Sequence, residues 1–248
     1  MTRPLVIAHR GSSGERPENT LSAFERAIED AADMIETDLH LSRDGVVVIH
    51  HDAELERLGE AGEIRDRTAA ELAELNAAPG LSTAERIPTL LDILDGFASR
   101  VQFNLELKVG ADDEAYEGME DVVVSAVEER GLLPRILFSS FYDPVLRRLR
   151  ERCASARIAL LVSPRANFKI VDRARALEAE AINPDVRLVT SDLVAEAHAA
   201  DLRVYPYTAN DSAEMERLLA CGVDGIITNH PTRLQAILEG RDAGREKA

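Results

Sequence analysis

Three carboxylates and two histidines stand at spacings that suit metal and acid–base chemistry. Glu36 and Asp38 lie two apart in Met34-Ile35-Glu36-Thr37-Asp38-Leu39, so on an extended chain both point to one side. Ile35, Thr37 and Leu39 point to the other. The stretch Phe103–Lys108 repeats the device, with Asn104, Glu106 and Lys108 on one face and Phe103, Leu105 and Leu107 on the other. Like charges on one strand face cost stability in a core, so they read as a site rather than a scaffold. Glu36, Asp38 and Glu106 offer hard oxygen ligands to one divalent cation, Mg²⁺ or Ca²⁺, and leave coordination positions for a substrate. Zinc is disfavoured, because no cysteine takes part and the histidines are better used for proton transfer. His9 and His51 could supply a general base and a general acid near neutral pH, and Arg10 and Lys108 are donors suited to phosphate oxygens. A metal, two proton carriers and two cations around one point describe phosphoryl chemistry rather than aldol or hydride chemistry. Each group alone has a plainer reading: a hydrogen-bonded surface histidine, exposed carboxylates, or a Glu106–Lys108 ion pair. Their collection on one rim favours function.

The elements that must carry these groups follow a repeating order. Met34–Asp52 reads as a strand, an Asp44-Gly45 turn and a return strand Val46–Ile49 that delivers His50-His51-Asp52. Before it, Leu5–Ala8 is a strand ending in His9-Arg10-Gly11, and Thr20 leads into a helix with Leu21, Phe24, Ala27 and Ile28 at helical spacing. After it, Val101–Val109 is a strand, Asp113–Arg130 a helix closed by Gly131, and Ile136–Phe141 a strand. Asp143 caps the next helix, with Pro144 at its first position. Strands Arg157–Val162, Ala181–Asp185, Arg203–Thr208 and Gly225–Asn229 alternate with helices at Phe168–Glu178, Ser191–Ala200, Ser212–Ala220 and Pro231–Leu238. Eight strand starts in 248 residues, most followed by a helix, predict an α/β chain folded as a parallel (β/α)8 TIM barrel rather than an open sheet. No Gly-rich dinucleotide loop follows the first strand. Residues 53–88, punctuated by Gly59, Gly62, Pro79 and Gly80, read as an insertion after the second-strand hairpin, with a short helix from Thr68 and Glu71 completing a capping box. A barrel places its site at the C-terminal strand ends. His9-Arg10, Glu36, Asp38, Glu106, Lys108, Tyr205, Tyr207 and Thr228-Asn229 collect there, while the opposite ends read as bland.

Bulk composition bounds the partners. With 45% hydrophobic and 30% charged residues and no apolar run of membrane length, the chain reads as one soluble globular domain over 1–248. Two cysteines, Cys153 and Cys221, are too few for a disulfide framework. The start Met1–Arg10 carries no secretory pattern, so the cytoplasm is expected. A formal charge of −16 argues against nucleic acid and against stable association with anionic membranes, but not against a small anionic substrate met by a cation and placed basic groups.

In these same residues the chain resembles the glycerophosphodiester phosphodiesterase family. The matching stretches are His9-Arg10-Gly11, Pro17-Glu18-Asn19-Thr20, Ile35–Asp38, Asp44–Asp52, Ile87–Leu90, Asn104–Lys108 and Gly222–Pro231, in order over almost the whole chain. The resemblance implies a barrel with a small insertion, a divalent metal, and hydrolysis of glycerophosphodiesters to sn-glycerol 3-phosphate and an alcohol. By motif position Glu36, Asp38 and Glu106 would be ligands, His9 and His51 the acid–base pair, and Arg10 and Lys108 the phosphate holders. Periodicity says only that His50 and His51 face opposite ways; the resemblance selects His51. Two departures stand out: Tyr207-Thr208-Ala209-Asn210 where the family often has a Trp-Thr-Val-Asn-like stretch, and Thr228-Asn229-His230-Pro231 where it usually has Thr-Asp-x-Pro. A phospholipase D acting on lysolipids and a catalytically silent phosphate-binding barrel are the alternative readings.

Overall fold

The computed structural model describes residues 3–79 and 83–245, so Gly80 of the expected insertion lies outside the described residues. The strands are β1 (Leu5–His9), β2 (Met34–Leu41), β3 (Val47–Ile49), β4 (Gln102–Leu107), β5 (Ile136–Ser140), β6 (Arg157–Val162), β7 (Ala181–Pro184), β8 (Arg203–Val204) and β9 (Gly225–Thr228). The helices are α1 (Leu21–Glu29), α2 (Ala69–Ala73), α3 (Leu90–Gly96), α4 (Met119–Glu129), α5 (Asp143–Arg152), α6 (Ile170–Ala176), α7 (Ser191–Ala199), α8 (Ser212–Cys221) and α9 (Pro231–Arg245). β3 pairs antiparallel with β2, and the other strands follow one another in the order β8-β7-β6-β5-β4-β2-β1-β9, every pair parallel. Backbone bonds from Asp224 N–H to Val204 C=O (3.0 Å) and from Ile227 N–H to Pro206 C=O (2.9 Å) join the two ends. The sheet therefore closes into the expected (β/α)8 barrel, which leaves no open edge along these strands.

Alternation along each strand sorts the side chains. Val6, Ala8, Ile35, Phe103 and Phe138 face outward into one continuous core against the helices. There Phe24 of α1 meets Phe97 and Phe103 edge-on, each at 6.0 Å between ring centroids. Ile7, Met34, Leu137, Ala159, Ala181, Tyr205 and Ile227 form a separate plug inside the barrel. Above that plug the inward positions turn polar, which is where β1, β2 and β4 deliver His9, Glu36, Asp38 and Glu106. Residues 53–88 carry a small cluster of their own, Leu55, Ile64, Leu72 and Ile87 with Val48 of β3. As expected, α2 opens on a capping box in which Glu71 N–H donates to Thr68 Oγ1 and Thr68 N–H donates to Glu71 Oε2.

Several expected boundaries move. The helix read as Asp113–Arg130 begins only at Met119, because residues 109–118 form a loop tied to the insertion. Arg65 pairs there with Glu63 (2.8 Å) and Asp112 (2.9 Å). Asp143 is not the cap of α5: it sits in the first turn, and its carboxylate is taken by Arg173 at 2.6 Å. The strand read as Arg203–Thr208 is regular only over Arg203–Val204: Tyr205 and Tyr207 N–H still donate to the Ile182 and Pro184 carbonyls (2.9 and 3.0 Å), but Pro184 and Pro206 have no N–H to complete the ladders on either side. Helix α6 is shorter than Phe168–Glu178, starting after Lys169 in the left-handed region (φ 46°). The lower strand ends are not bland either: Arg157 pairs with Glu180 at 2.8 Å and hydrogen-bonds Gln102. No helix among the described residues is long and apolar enough to cross a membrane.

Candidate active site

The chain leaves β1 in a turn that fixes the first two groups. Arg10 and Gly11 both take left-handed backbone conformations, φ 55° and φ 79°. Gly11 suits this, and a Cβ there would lie 2.6 Å from the Ala23 carbonyl carbon of α1. For Arg10 the same conformation is strained, and it persists because Arg10 N–H donates to the Glu36 carbonyl oxygen at 2.8 Å. The Arg10 side chain then reaches Glu18 (3.0 Å) and lies 3.2 Å from Asp38 Oδ2. His9, at the end of β1, has Nδ1 2.7 Å from Asn229 Oδ1 and Nε2 3.8 Å from Glu36 Oε2. Burial, reinforced by Arg10, pushes His9 down to about 4, so at neutral pH it is a neutral imidazole.

The carboxylates come together through parallel register. Asp38 pairs with Glu106 and Glu36 with Asn104 across β2 and β4, which sets both rows on one wall. Glu36, Asp38 and Glu106 are all buried, with one oxygen from each within 4.8 Å of the others. Lys108 Nζ lies 2.9 Å from Glu106 and 3.4 Å from Asp38. Asn19, whose Oδ1 accepts from Thr37, donates from Nδ2 to Asp38 Oδ2 at 2.9 Å. Burial works to raise Asp38, yet Lys108 and Arg10 hold its carboxyl well below the usual carboxylate range. On Glu36 the balance goes the other way: burial, then Asp38 and Glu106, push it well above its ordinary value, outweighing the more distant Arg10 and Lys108. Glu106 is raised mainly by burial, with Asp38 adding and Lys108 opposing. Three carboxylates against two side-chain cations leave an excess of negative charge in a dry site. Asp38 Oδ1 is also buried without a hydrogen-bond partner. Both features fit an oxygen-coordinated divalent cation, as the donor set does.

The hairpin carries the second expected histidine. His50 is buried and its Nε2 has no partner, whereas His51 is part-exposed with Nδ1 2.6 Å from Asp52 Oδ1. Asp52 also accepts from Arg57 (3.1 Å), and Arg57 pairs with Glu18 (2.9 Å), which in turn binds Arg10. Alternating charges Asp52, Arg57, Glu18 and Arg10 thus run around the rim from the residue that holds His51. Beneath it, the buried His40 donates from Nε2 to the His51 carbonyl oxygen (3.1 Å) and accepts at Nδ1 from the Tyr116 hydroxyl (2.7 Å). Burial lowers His40 to about 3, consistent with this neutral bridging form.

All seven expected site residues thus stand around one rim. Tyr205 does not: it is fully buried in the interior plug, with its hydroxyl toward Arg203. Tyr207 is half-buried near the rim, edge-on to Phe141 at 5.7 Å. Sequence reasoning missed the roles of Glu18, Asn19, His40, Asp52, Arg57 and Asn229. Glu18, Asn19 and Asp52 were inside matching motifs, so their presence was visible but their partners were not. Arg57 carried no signal beyond lying in the insertion, and His40 looked like an ordinary strand residue.

A family model described as "Glycerophosphoryl diester phosphodiesterase family" matches residues 9–233. A glycerophosphodiester phosphodiesterase of Caldanaerobacter subterraneus subsp. tengcongensis is 34% identical over 241 residues, covering 94% of this chain and 96% of that protein. Among solved structures, an Oleispira antarctica phosphodiesterase in complex with the product sn-glycerol-3-phosphate is 30% identical with a TM-score of 0.83, over 95% of this chain and 97% of that one. A glycerophosphodiester phosphodiesterase of Parabacteroides distasonis is 25% identical with a TM-score of 0.83, over 97% and 98% of the two chains.

Proposed function

This chain belongs to the glycerophosphoryl diester phosphodiesterase family, and from that premise we propose that it hydrolyses glycerophosphodiesters to sn-glycerol 3-phosphate and an alcohol with one divalent cation and two histidines. One observation carries the reading: Glu36, Asp38 and Glu106 converge at the rim of a closed barrel, with His9 beside Glu36 and His51 within electrostatic reach of Asp38 and Glu106. Mg²⁺ or Ca²⁺ would be held by those three carboxylates, and when bound it supplies positive charge against the phosphoryl oxygens and favours an ionised oxygen nucleophile. Arg10 and Lys108, oriented by Glu18, Asp38 and Glu106, hold the phosphate. His9, a neutral imidazole, takes the proton of the glycerol 2-hydroxyl as that oxygen bonds to phosphorus. His51, supported by Asp52, protonates the departing alcohol oxygen as its P–O bond breaks. The cyclic phosphate then opens: water adds to phosphorus and loses its proton to His51, while His9 returns its own to the 2-oxygen. A small glycerophosphodiester in the cytoplasm is the partner that agrees with a charge of −16.

The test is release of glycerol 3-phosphate from glycerophosphocholine, glycerophosphoethanolamine and glycerophosphoglycerol in Mg²⁺, Ca²⁺ or EDTA, beside a lysophospholipid and beside His9→Ala and His51→Ala. Activity should need a cation and both histidines. Full turnover in EDTA, or in either variant, would sink the proposal. A 2-deoxy substrate turned over at an undiminished rate would replace the cyclic route with direct attack by water.

A further inference from the structure

Asn229 stands just beyond β9, one residue after Thr228, whose Cα pairs with Ala8 of β1. The parallel register therefore brings Asn229 beside His9, and its Oδ1 lies 2.7 Å from His9 Nδ1. The backbone carrying this amide is held from two sides. Asn229 N–H donates to Asn210 Oδ1 at 2.9 Å, and Asn229 C=O accepts from Gly14 N–H at 2.9 Å. His230 N–H closes the turn on Thr228 Oγ1 at 3.0 Å. Gly14 approaches so closely that a Cβ there would lie 2.8 Å from the Asn229 oxygen and 2.2 Å from the His230 ring. Loops after β1 and β8 are thus both fastened to the residue that touches His9.

An amide oxygen can only accept, so it selects the imidazole with its proton on Nδ1. That leaves the Nε2 lone pair on the side of Glu36 and the other carboxylates. The second histidine is held differently, since His51 Nδ1 meets a carboxylate, Asp52, that is itself bound by Arg57. We propose that Asn229, supported by Asn210, is the positioning residue of His9, fixing its Nδ1–H tautomer and ring direction with a neutral acceptor. The effect on turnover rests on the function proposed above; the tautomer does not.

The contact is read directly in protein labelled with ¹⁵N-histidine, kept metal-free in EDTA, by long-range ¹⁵N–¹H correlation of the imidazole rings. His9 should be protonated on Nδ1 in the unmodified protein and in Asn229→Asp, and should populate both tautomers in Asn229→Ala. With glycerophosphocholine and Mg²⁺, Asn229→Ala should lower kcat about 10–100-fold, the range for loss of a group that orients a functional imidazole, with KM within about twofold. Asn229→Asp keeps an acceptor at the same place and should recover most of that loss. A His9 ring protonated on Nε2 in the unmodified protein would overturn the proposal. So would an unchanged kcat in Asn229→Ala while His9→Ala is inactive, or an Asn229→Asp variant as slow as Asn229→Ala. Full activity in His9→Ala would instead sink the proposed function, and with it the catalytic half of this inference.

Discussion

Two of the proposed ligands should respond in opposite ways when their charge is removed without metal. Asp38 is 1% exposed, lies 3.4 Å from Lys108 Nζ and 3.2 Å from Arg10 Nε, and accepts from Asn19. Asp38→Asn keeps the shape but strips a buried anion from two part-buried cations. Breaking a buried pair of this kind costs about 3–5 kcal/mol. Glu36 has no Lys or Arg side chain within ion-pair distance, and burial, then Asp38 and Glu106, push it well above its ordinary value against the pull of Arg10 and Lys108, which favours the neutral form. Glu36→Gln mimics that form, so its stability in EDTA should stay within about 1 kcal/mol of the unmodified protein or exceed it. The pH dependence follows the same signs. Asp38, with its folded pKa depressed, contributes stability above its unfolded value of about 3.9, and this is lost as pH falls. Glu36, with its folded pKa raised, costs nothing below its unfolded value of about 4.3 and destabilises increasingly as pH rises toward the folded value. In EDTA, Glu36→Gln should therefore hold its advantage at pH 7–8 and lose it near pH 4. Urea unfolding followed by circular dichroism at several pH values measures both. Adding Mg²⁺ or Ca²⁺ should then raise the midpoint of the unmodified protein and leave both variants nearly unmoved. Equal losses in the two variants, or a larger loss in Glu36→Gln, would refute the charge balance argued for this cluster.

Other substitutions probe the frame around the site. Gly11→Ala forces a side chain into a left-handed residue (φ 79°) and a Cβ against α1 at 2.6 Å; about 1 kcal/mol of backbone strain and about 1–3 of overpacking should appear as a lower urea midpoint with unchanged slope. No loss there would show that α1 yields more readily than its packing implies. Tyr116→Phe removes the hydroxyl that donates to His40 Nδ1, and should cost about 1–2 kcal/mol in the same assay, together with a measurable fall in kcat through His51. Arg57→Met should change stability by less than about 1 kcal/mol, because the guanidinium is half-exposed, yet lower kcat about tenfold by freeing Asp52 and Glu18. Wild-type kinetics in Arg57→Met would remove the rim chain of charges from the account.

Features that are local or periodic are legible in the chain alone. Alternating apolar runs and helical stretches specified eight barrel strands, because a parallel strand buried on both faces and a helix buried on one leave different spacings in the chain. The two-residue period put Glu36 with Asp38 and Asn104 with Glu106 before any partner was known, and Thr68 with Glu71 announced its own cap. Which groups meet across long separations follows from the packed barrel. His9 and its partner Asn229 are 220 residues apart, and Asn19 reaches Asp38 only once α1 has packed behind β2 and β4. His50 is buried while His51 is not, Tyr205 fills the barrel rather than its rim, and Pro184 and Pro206 interrupt ladders that periodicity would have continued. These outcomes depend on strand register and on closure of the barrel between β8 and β9, and neither is set by the composition of any one segment.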